Sequence, residues 1–120
     1  MPVFSRVKDD ILVLTADGDY TPGELARVGA RAFSNREHPG PGPVLLDLSG
    51  AAGLDHKSPE SLTAEGAALA AHRDRISRLA VVVSSQFSDL FAADGPFSKA
   101  IGVEVAACLS HSEAKAWLSS

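Results

Sequence analysis

Three β-prone runs of this chain end in a serine, and a stretch of helical periodicity follows each of them. The runs are VLLDLS, RLAVVVS and EVAACLS, which begin at Val44, Arg78 and Glu104. Apolar strands that alternate with helices predict crossover units, in which parallel strands pair in one sheet and the connecting helices pack on its faces. The chain is therefore predicted to fold as an α/β layer structure.

Two further apolar runs, VFSRV and ILVLTA, precede these units and are separated by KDD. They predict either a hairpin or two adjacent edge strands. The first helix begins after them, because Thr21 suits the N-cap, Pro22 the first helical position and Glu24 the third. Its inward face is predicted from residues at helical spacing, namely Leu25, Val28, Gly29, Ala32 and Phe33.

The segment HPGPGP, residues 38–43, is too rich in proline and glycine for a helix or a strand, and it predicts a connector. A second helix begins after an N-cap at Ser58, with Pro59 just inside it. Gly66 would let this helix approach the sheet closely. The predicted inward side consists of Leu62, Gly66, Leu69, Arg73 and Ile76.

Two more helical patterns complete the chain. The third helix is predicted around Phe87, Leu90 and Phe91, with a break near DGPF. In the fourth, Ser110 and Glu113 form a capping box. Its inward residues are Ala114, Trp117 and Leu118. Residues 1–120 are thus predicted to form a single α/β domain, with parallel core strands in a mixed sheet and about four helices, in the order ββαβαβαβα.

The two faces of the predicted sheet differ in the size of their side chains. One face offers Ala80, Ala106 and Cys108 beside Val82, and a tightly packed helix, a second subunit or a ligand could cover it; ordinary helix packing is favoured. Because this face and the amino-terminal edge both need covering, a homodimer is expected. The other face carries large residues, namely Val44, Leu46, Leu48, Leu79, Val81, Val83, Val103, Val105 and Leu109.

Charge and cysteine content exclude several classes of function. Eleven basic residues against fifteen acidic ones give a net charge of -4, which does not favour nucleic acid. The single cysteine, Cys108, excludes an intramolecular disulfide and indicates a buried thiol in a reducing compartment. The longest apolar run, LAVVV, is too short to span a membrane, so a cytoplasmic location is expected.

Polar residues follow the predicted parallel strands and are expected to meet in the crevice at their carboxyl ends. Helix N-termini there could bind an anion with the help of Lys57, but capping is the favoured role of Ser58 and Ser110. The candidate binding or regulatory residues are Asp55, His56, Lys57, Ser58, Ser84, Ser85 and His111, with Ser49 and Gln86 beside them.

A catalytic triad could be written from Asp55, from His56 or His111, and from one of these serines. Asp55 and His56 are adjacent in the chain, however, and no GxSxG elbow is present, so an enzyme is the less favoured interpretation. The histidines show no metal-ligand spacing, and neither a metal nor a cofactor is predicted.

The third helical segment contains four large apolar residues, Phe87, Leu90, Phe91 and Phe97, around a break at Gly95 and Pro96. They could form a bent element in the core or a movable lid over an apolar groove, and the core element is favoured. Our hypothesis places Phe91 in the core and Phe97 in the mobile part.

The segment DLSGAAGLDHKS resembles the STAS family of anti-sigma factor antagonists. In that family a strand ends in Asp, an apolar residue and Ser, and an Asp-Ser-Ser-Gly segment follows eight positions after the first Asp. Asp47, Leu48, Ser49 and Asp55 fit this pattern, whereas His56 and Lys57 replace its two serines. Lys57 stands at the position that accepts phosphate, so the resemblance implies that the serine switch is absent.

The remainder of the chain is similar to the STAS/SEC14 or SpoIIAA-like branch, from GDYTPGEL through HRDRISRLAVVV to VEVAACLSHSEAKAWL. This resemblance implies a small α/β domain that binds a protein partner or an apolar ligand, and it also favours a homodimer. We therefore expect a non-enzymatic regulatory or protein-interaction module. The alternative is a carrier or sensor of a small apolar or amphipathic molecule.

Overall fold

The structure, a computed structural model, describes residues 3–35 and 40–120. The chain begins with strands β1 (Val3–Lys8) and β2 (Ile11–Gly18), which pair antiparallel. Asp9 and Asp10 join them with φ angles of 55° and 65°, the left-handed conformation that a two-residue hairpin loop requires. The predicted hairpin is confirmed.

Three further strands extend the sheet in chain order, β3 (Gly42–Ala51), β4 (Ile76–Val82) and β5 (Val105–Cys108). The order in the sheet is β1-β2-β3-β4-β5, and every pair after the first is parallel. The predicted mixed α/β fold is therefore confirmed. The connector predicted at residues 38–43 is too long, since Gly42 and Pro43 already belong to β3; His38 and Pro39 lie outside the described residues.

Four helices are present in the described part of the chain, in the predicted order. They are α1 (Pro22–Asn35), α2 (Pro59–Ala70), α3 (Pro96–Ile101) and α4 (His111–Leu118). Short 3-10 segments cover Leu54–His56, Arg73–Arg75 and Ser85–Phe91.

Two helix boundaries differ from the prediction. Helix α2 ends at Ala70, where Nε of Arg73 donates a hydrogen bond of 3.2 Å to the Ala70 carbonyl; Ile76 is already the first residue of β4. The predicted third helix is a 3-10 segment followed by α3, because Pro96 has no amide hydrogen and can only start a helix there.

Helix α1 has the predicted cap and the predicted core face. The Glu24 amide donates a hydrogen bond of 3.1 Å to Oγ1 of Thr21. All five residues predicted to face inward are buried, namely Leu25, Val28, Gly29, Ala32 and Phe33.

Helix α4 covers the small-residue face of the sheet. Ala114 is fully buried there together with Ala80 and Cys108, and Trp117 and Leu118 pack against the same cluster. Of the three covers considered for this face, a packed helix is the one observed. Leu109, predicted to lie in the opposite face, is 57% exposed because β5 ends at Cys108.

Gly66 allows a close approach between two helices, and the prediction that it faces the sheet is wrong. A Cβ atom at this position would lie 2.5 Å from the Phe97 carbonyl oxygen and 2.8 Å from Cβ of Ala100. Helix α2 therefore packs against α3 at a distance that only glycine permits.

Candidate functional site

The loops after the parallel strands carry the predicted polar residues, and most of these residues are exposed. Asp55, His56, Ser84 and Ser85 are on the surface. Lys57 differs from them, since its side chain is only 10% exposed. The side chain of Lys57 therefore faces inward.

Lys57 belongs to a buried cluster with Tyr20 and Glu65. Its Nζ lies 3.0 Å from Oε2 of Glu65, whose side chain is fully buried. The Tyr20 hydroxyl donates a hydrogen bond to Oε1 of the same carboxylate. The Lys57 ammonium also lies 4.3 Å from the centre of the Tyr20 ring, within the range of a cation–π interaction. We call these three residues the Tyr20–Glu65–Lys57 cluster.

Each member of this cluster comes from a different segment. Tyr20 lies between β2 and α1, Lys57 lies just before α2, and Glu65 is inside α2. The cluster therefore fixes the loop after β3 against α2 and the loop after β2. Burial raises the pKa of the Tyr20 phenol, and the charge of Glu65 and its hydrogen bond raise it further, so that Tyr20 remains a neutral donor.

Neither Tyr20 nor Glu65 is among the site residues predicted from the sequence, although the sequence contains a signal for Glu65. Leu62, Glu65, Gly66 and Leu69 are the buried residues of α2, and their spacing is that of a single helical face. An acidic residue on the inward stripe of a helix needs a cationic or hydrogen-bonding partner. Lys57, eight residues earlier, supplies the charge.

Asp47, Ser49 and His111 form a second polar group at the same end of the sheet. Oδ1 of Asp47 accepts hydrogen bonds from the Ser49 amide at 2.9 Å and from the Ser49 hydroxyl at 2.6 Å. Nε2 of His111 lies 2.8 Å from Oδ2 of Asp47 and donates to it, because a carboxylate can only accept. The side chain of His111 is 36% exposed and that of Asp47 is 14% exposed.

Asp47 remains a carboxylate in this group. Burial acts to raise its pKa, but the hydrogen bonds from Ser49 and the contact with His111 together outweigh burial and lower the pKa below its ordinary value. The hydroxyl of Ser49 donates to Asp47 and not to His111, so the three residues do not have the order of a catalytic triad.

The two predicted serine caps are confirmed. Oγ of Ser58 accepts from the Ser61 amide, and Oγ of Ser110 accepts from the Glu113 amide, both at 3.1 Å. The anion site that relied on Lys57 is not supported, because Glu65 neutralises this lysine inside the protein. The exposed charged groups nearby are instead acidic, since Asp17, Asp19 and Asp55 are all on the surface. We call these three residues the acidic rim.

The predicted apolar groove is largely core. Phe91 and Phe97 are both fully buried, and their rings meet edge to face with centroids 5.1 Å apart. The hypothesis that Phe97 belongs to a mobile part is therefore wrong, because the close contact of α2 and α3 encloses it. Phe87 and Leu90 are half-buried and pack against the same core.

Within residues 3–35 and 40–120, no cluster of three or more histidine, cysteine or acidic side chains is arranged to hold a metal ion. None of the helices in these ranges is long and apolar enough to cross a membrane. Cys108 is a buried free thiol, and burial raises its pKa.

No protein-family model matches the chain, and no curated protein matches its sequence. Among solved structures, it is similar to an uncharacterized protein of the DUF3478 family with a SpoIIAA-like fold, from Shewanella loihica PV-4. The two share 15% sequence identity and a TM-score of 0.61, over 97% of this chain and 91% of the other. The chain therefore has the SpoIIAA-like fold that its sequence predicted.

Proposed function

We propose that this domain is a non-enzymatic protein-interaction module of the STAS type that works without serine phosphorylation. The observation that carries the proposal is the ion pair between Lys57 and the fully buried Glu65. An ammonium group cannot accept phosphate from a serine kinase. A loop already fixed from inside by this pair also has no need of a phosphate to order it.

The neighbouring hydroxyl supports the same conclusion. Ser58 follows Lys57 and is exposed, but its Oγ already accepts a hydrogen bond from the Ser61 amide as the cap of α2. A phosphate group there would replace this cap. Ser58 is therefore expected to remain unmodified.

The acidic rim indicates the kind of partner that the module would bind. Asp17 lies at the end of β2, Asp19 follows this strand and Asp55 follows β3, so that two neighbouring strand ends present carboxylates at one end of the sheet. Such a surface favours a partner with exposed lysine or arginine side chains, since complementary charge increases both the association rate and the specificity.

The alternative function, a carrier of a small apolar molecule, is less well supported than the interaction module. Of the four residues that suggested an apolar groove, Phe91 and Phe97 are enclosed in the core. No contact in the described part of the chain specifically favours a small apolar ligand, and the carrier function stays a prediction. A cytoplasmic location likewise remains an expectation from the sequence.

The test is a binding measurement with two matched variants. The partner is recovered with the wild-type protein from an extract of its own host, purified, and titrated by calorimetry. We expect the double substitution Asp19→Lys and Asp55→Lys to weaken binding by about tenfold or more.

The control is Asp74→Lys, which changes an equally exposed carboxylate in the Arg73–Arg75 segment before β4, at the other end of the sheet. It should leave the affinity unchanged. Equal affinity of the double variant and the wild type, with unchanged melting temperatures, would contradict the proposed surface.

A further inference from the structure

Strand β1 is one of the two outer strands of the sheet, the other being β5, and it pairs only with β2. The two-residue loop makes Lys8 and Ile11 a hydrogen-bonded pair, so every second residue of β1 points its backbone groups toward β2. These residues are Phe4, Arg6 and Lys8. The backbone amides and carbonyls of Val3, Ser5 and Val7 therefore point away from the sheet.

This edge also carries apolar side chains that the described fold leaves uncovered. Phe4 is 48% exposed and Val7 is 64% exposed, and with Leu109 they are the large apolar residues exposed in the described part of the chain. Phe4 lies on the same face of the sheet as Val13, whose cluster α4 covers, whereas Val7 lies on the other face, opposite Leu12. The six-residue β1 edge is thus a place in the described fold where both backbone and apolar groups remain available, and it is longer than the four-residue edge of β5.

We propose that β1 of a second copy of this chain pairs antiparallel with this edge, which creates a continuous ten-stranded sheet. A two-fold axis perpendicular to the sheet keeps the same face of both copies on the same side. In one register, each residue whose backbone groups point away from the sheet lies opposite such a residue of the second copy. It places Ser5 opposite Ser5 of the second copy and Val3 opposite Val7 of the second copy.

The same register also pairs a cation with an aromatic ring. It places Phe4 opposite Arg6 of the second copy, twice by symmetry, on the face that carries Thr15 and Val13. A guanidinium next to an aromatic ring forms a favourable cation–π interaction. Phe4 and Arg6 would form a non-hydrogen-bonded pair, the kind of pair in which opposite side chains lie closest.

Neighbouring registers lack this complementarity. A shift of two residues in one direction places Arg6 opposite Arg6, and like charges directly opposite each other are unfavourable. A shift in the other direction leaves Val7 without a partner within the strand Val3–Lys8. Arg6 and Lys8 make the edge basic, so an acidic extended segment of another protein could occupy it instead of a second copy. The experiments below distinguish these two occupants.

The first experiment is sedimentation equilibrium of the full chain at micromolar concentrations. We expect a monomer–dimer equilibrium in the wild type. Ser5→Pro removes an outward amide without touching the β1–β2 hydrogen bonds and should raise the dissociation constant by about tenfold or more, since the central pair of hydrogen bonds is lost. Ser5→Ala keeps the amide and should leave the constant unchanged.

The second experiment tests the register with substitutions at an exposed position, so its result does not depend on whether β1 still folds with a proline in it. Phe4→Glu places a carboxylate opposite Arg6 of the second copy and should preserve the dimer, whereas Phe4→Lys should weaken it by about tenfold or more. Added salt should strengthen the wild-type dimer by screening the like charges of the two basic strands.

A monomeric wild type would overturn the proposal. So would an equal loss of the dimer in both Phe4 variants, because a simple apolar patch would behave in that way. If a labelled peptide of alternating glutamate and valine binds the edge while the protein alone stays monomeric, the occupant is an acidic segment and the second copy is excluded.

Discussion

At the scale of single residues, the proposed absence of a phosphate switch depends on Lys57. Lys57 is 10% exposed and Glu65 is fully buried, so both charges have lost most of their hydration. A buried charge is tolerated only when it is paired. Removal of either partner should therefore cost far more than removal of an exposed charge.

The first prediction concerns this pair. Lys57→Ala and Glu65→Ala should each lower the free energy of unfolding by about 3–5 kcal/mol, because each leaves the other charge buried without its partner. The double variant Lys57→Met with Glu65→Leu should recover only part of this loss, because it leaves no buried charge but takes the acceptor from the Tyr20 hydroxyl. Urea unfolding measures all three variants.

The exposed pair of Asp55 and His56, 3.5 Å apart, supplies the control. Asp55→Ala should cost less than about 1 kcal/mol. If the single variants at Lys57 and Glu65 cost no more than this control, the pair does not hold the loop.

The second prediction uses Tyr20, the only tyrosine of the chain. Its pKa is raised above the ordinary value of 10.0 in the folded protein, so the unfolded chain releases the phenolic proton first. The stability that Tyr20 contributes is fully present below about pH 10 and is lost as the pH rises above this value.

The absorbance of the phenolate reports this titration directly in the wild-type protein. We expect the phenolate to appear together with alkaline unfolding, and Tyr20→Phe should lose less stability between about pH 9 and pH 11. Titration of Tyr20 near its ordinary pKa in protein that stays folded would show that the phenol is not enclosed with Glu65.

Residue roles could be predicted only where the neighbours in sequence determine them. The caps at Ser58 and Ser110 follow from local backbone geometry, and both are confirmed. The partners of Lys57 and His111 could not be predicted in this way, because Glu65 and Asp47 reach them through tertiary packing.

At the scale of elements, the contact between α2 and α3 is the tightest helix packing of the core. It encloses Phe97, which has no exposed surface. The sequence indicated the glycine but not its neighbour, since the periodicity of a helix defines a face and does not say which element covers that face.

The third prediction tests this contact with two glycines in helices. Gly66→Ala should lower the free energy of unfolding by about 1–3 kcal/mol, because its Cβ would lie 2.5 Å from the Phe97 carbonyl oxygen and backbone must move. Gly23→Ala in α1 is the control. Its Cβ would have its nearest contact at 3.7 Å, so it should be neutral or stabilise by up to about 1 kcal/mol.

Both values follow from urea unfolding curves. A Gly66→Ala variant as stable as the Gly23→Ala variant would mean that α2 and α3 separate easily. The aromatic segment would then regain the mobility that the sequence suggested.

At the scale of the whole molecule, the order of elements followed from the sequence because each strand and helix has its own local periodicity. The cover of the small-residue face by α4 was one of three possibilities, and only the three-dimensional packing of Ala114 and Trp117 decides among them. The proposed homodimer rests on the open edge of β1, since α4 covers the small-residue face that also suggested it.

Native mass spectrometry of protein purified from its own host distinguishes an interaction module without a phosphate switch from a phosphorylated regulator and from a carrier. We predict no species that is heavier by the mass of a phosphate group or of a retained small molecule. A phosphate located on Ser58 would contradict the account, because the acceptor would have shifted by one residue. A retained apolar ligand would contradict it as well, because the domain would then be a carrier.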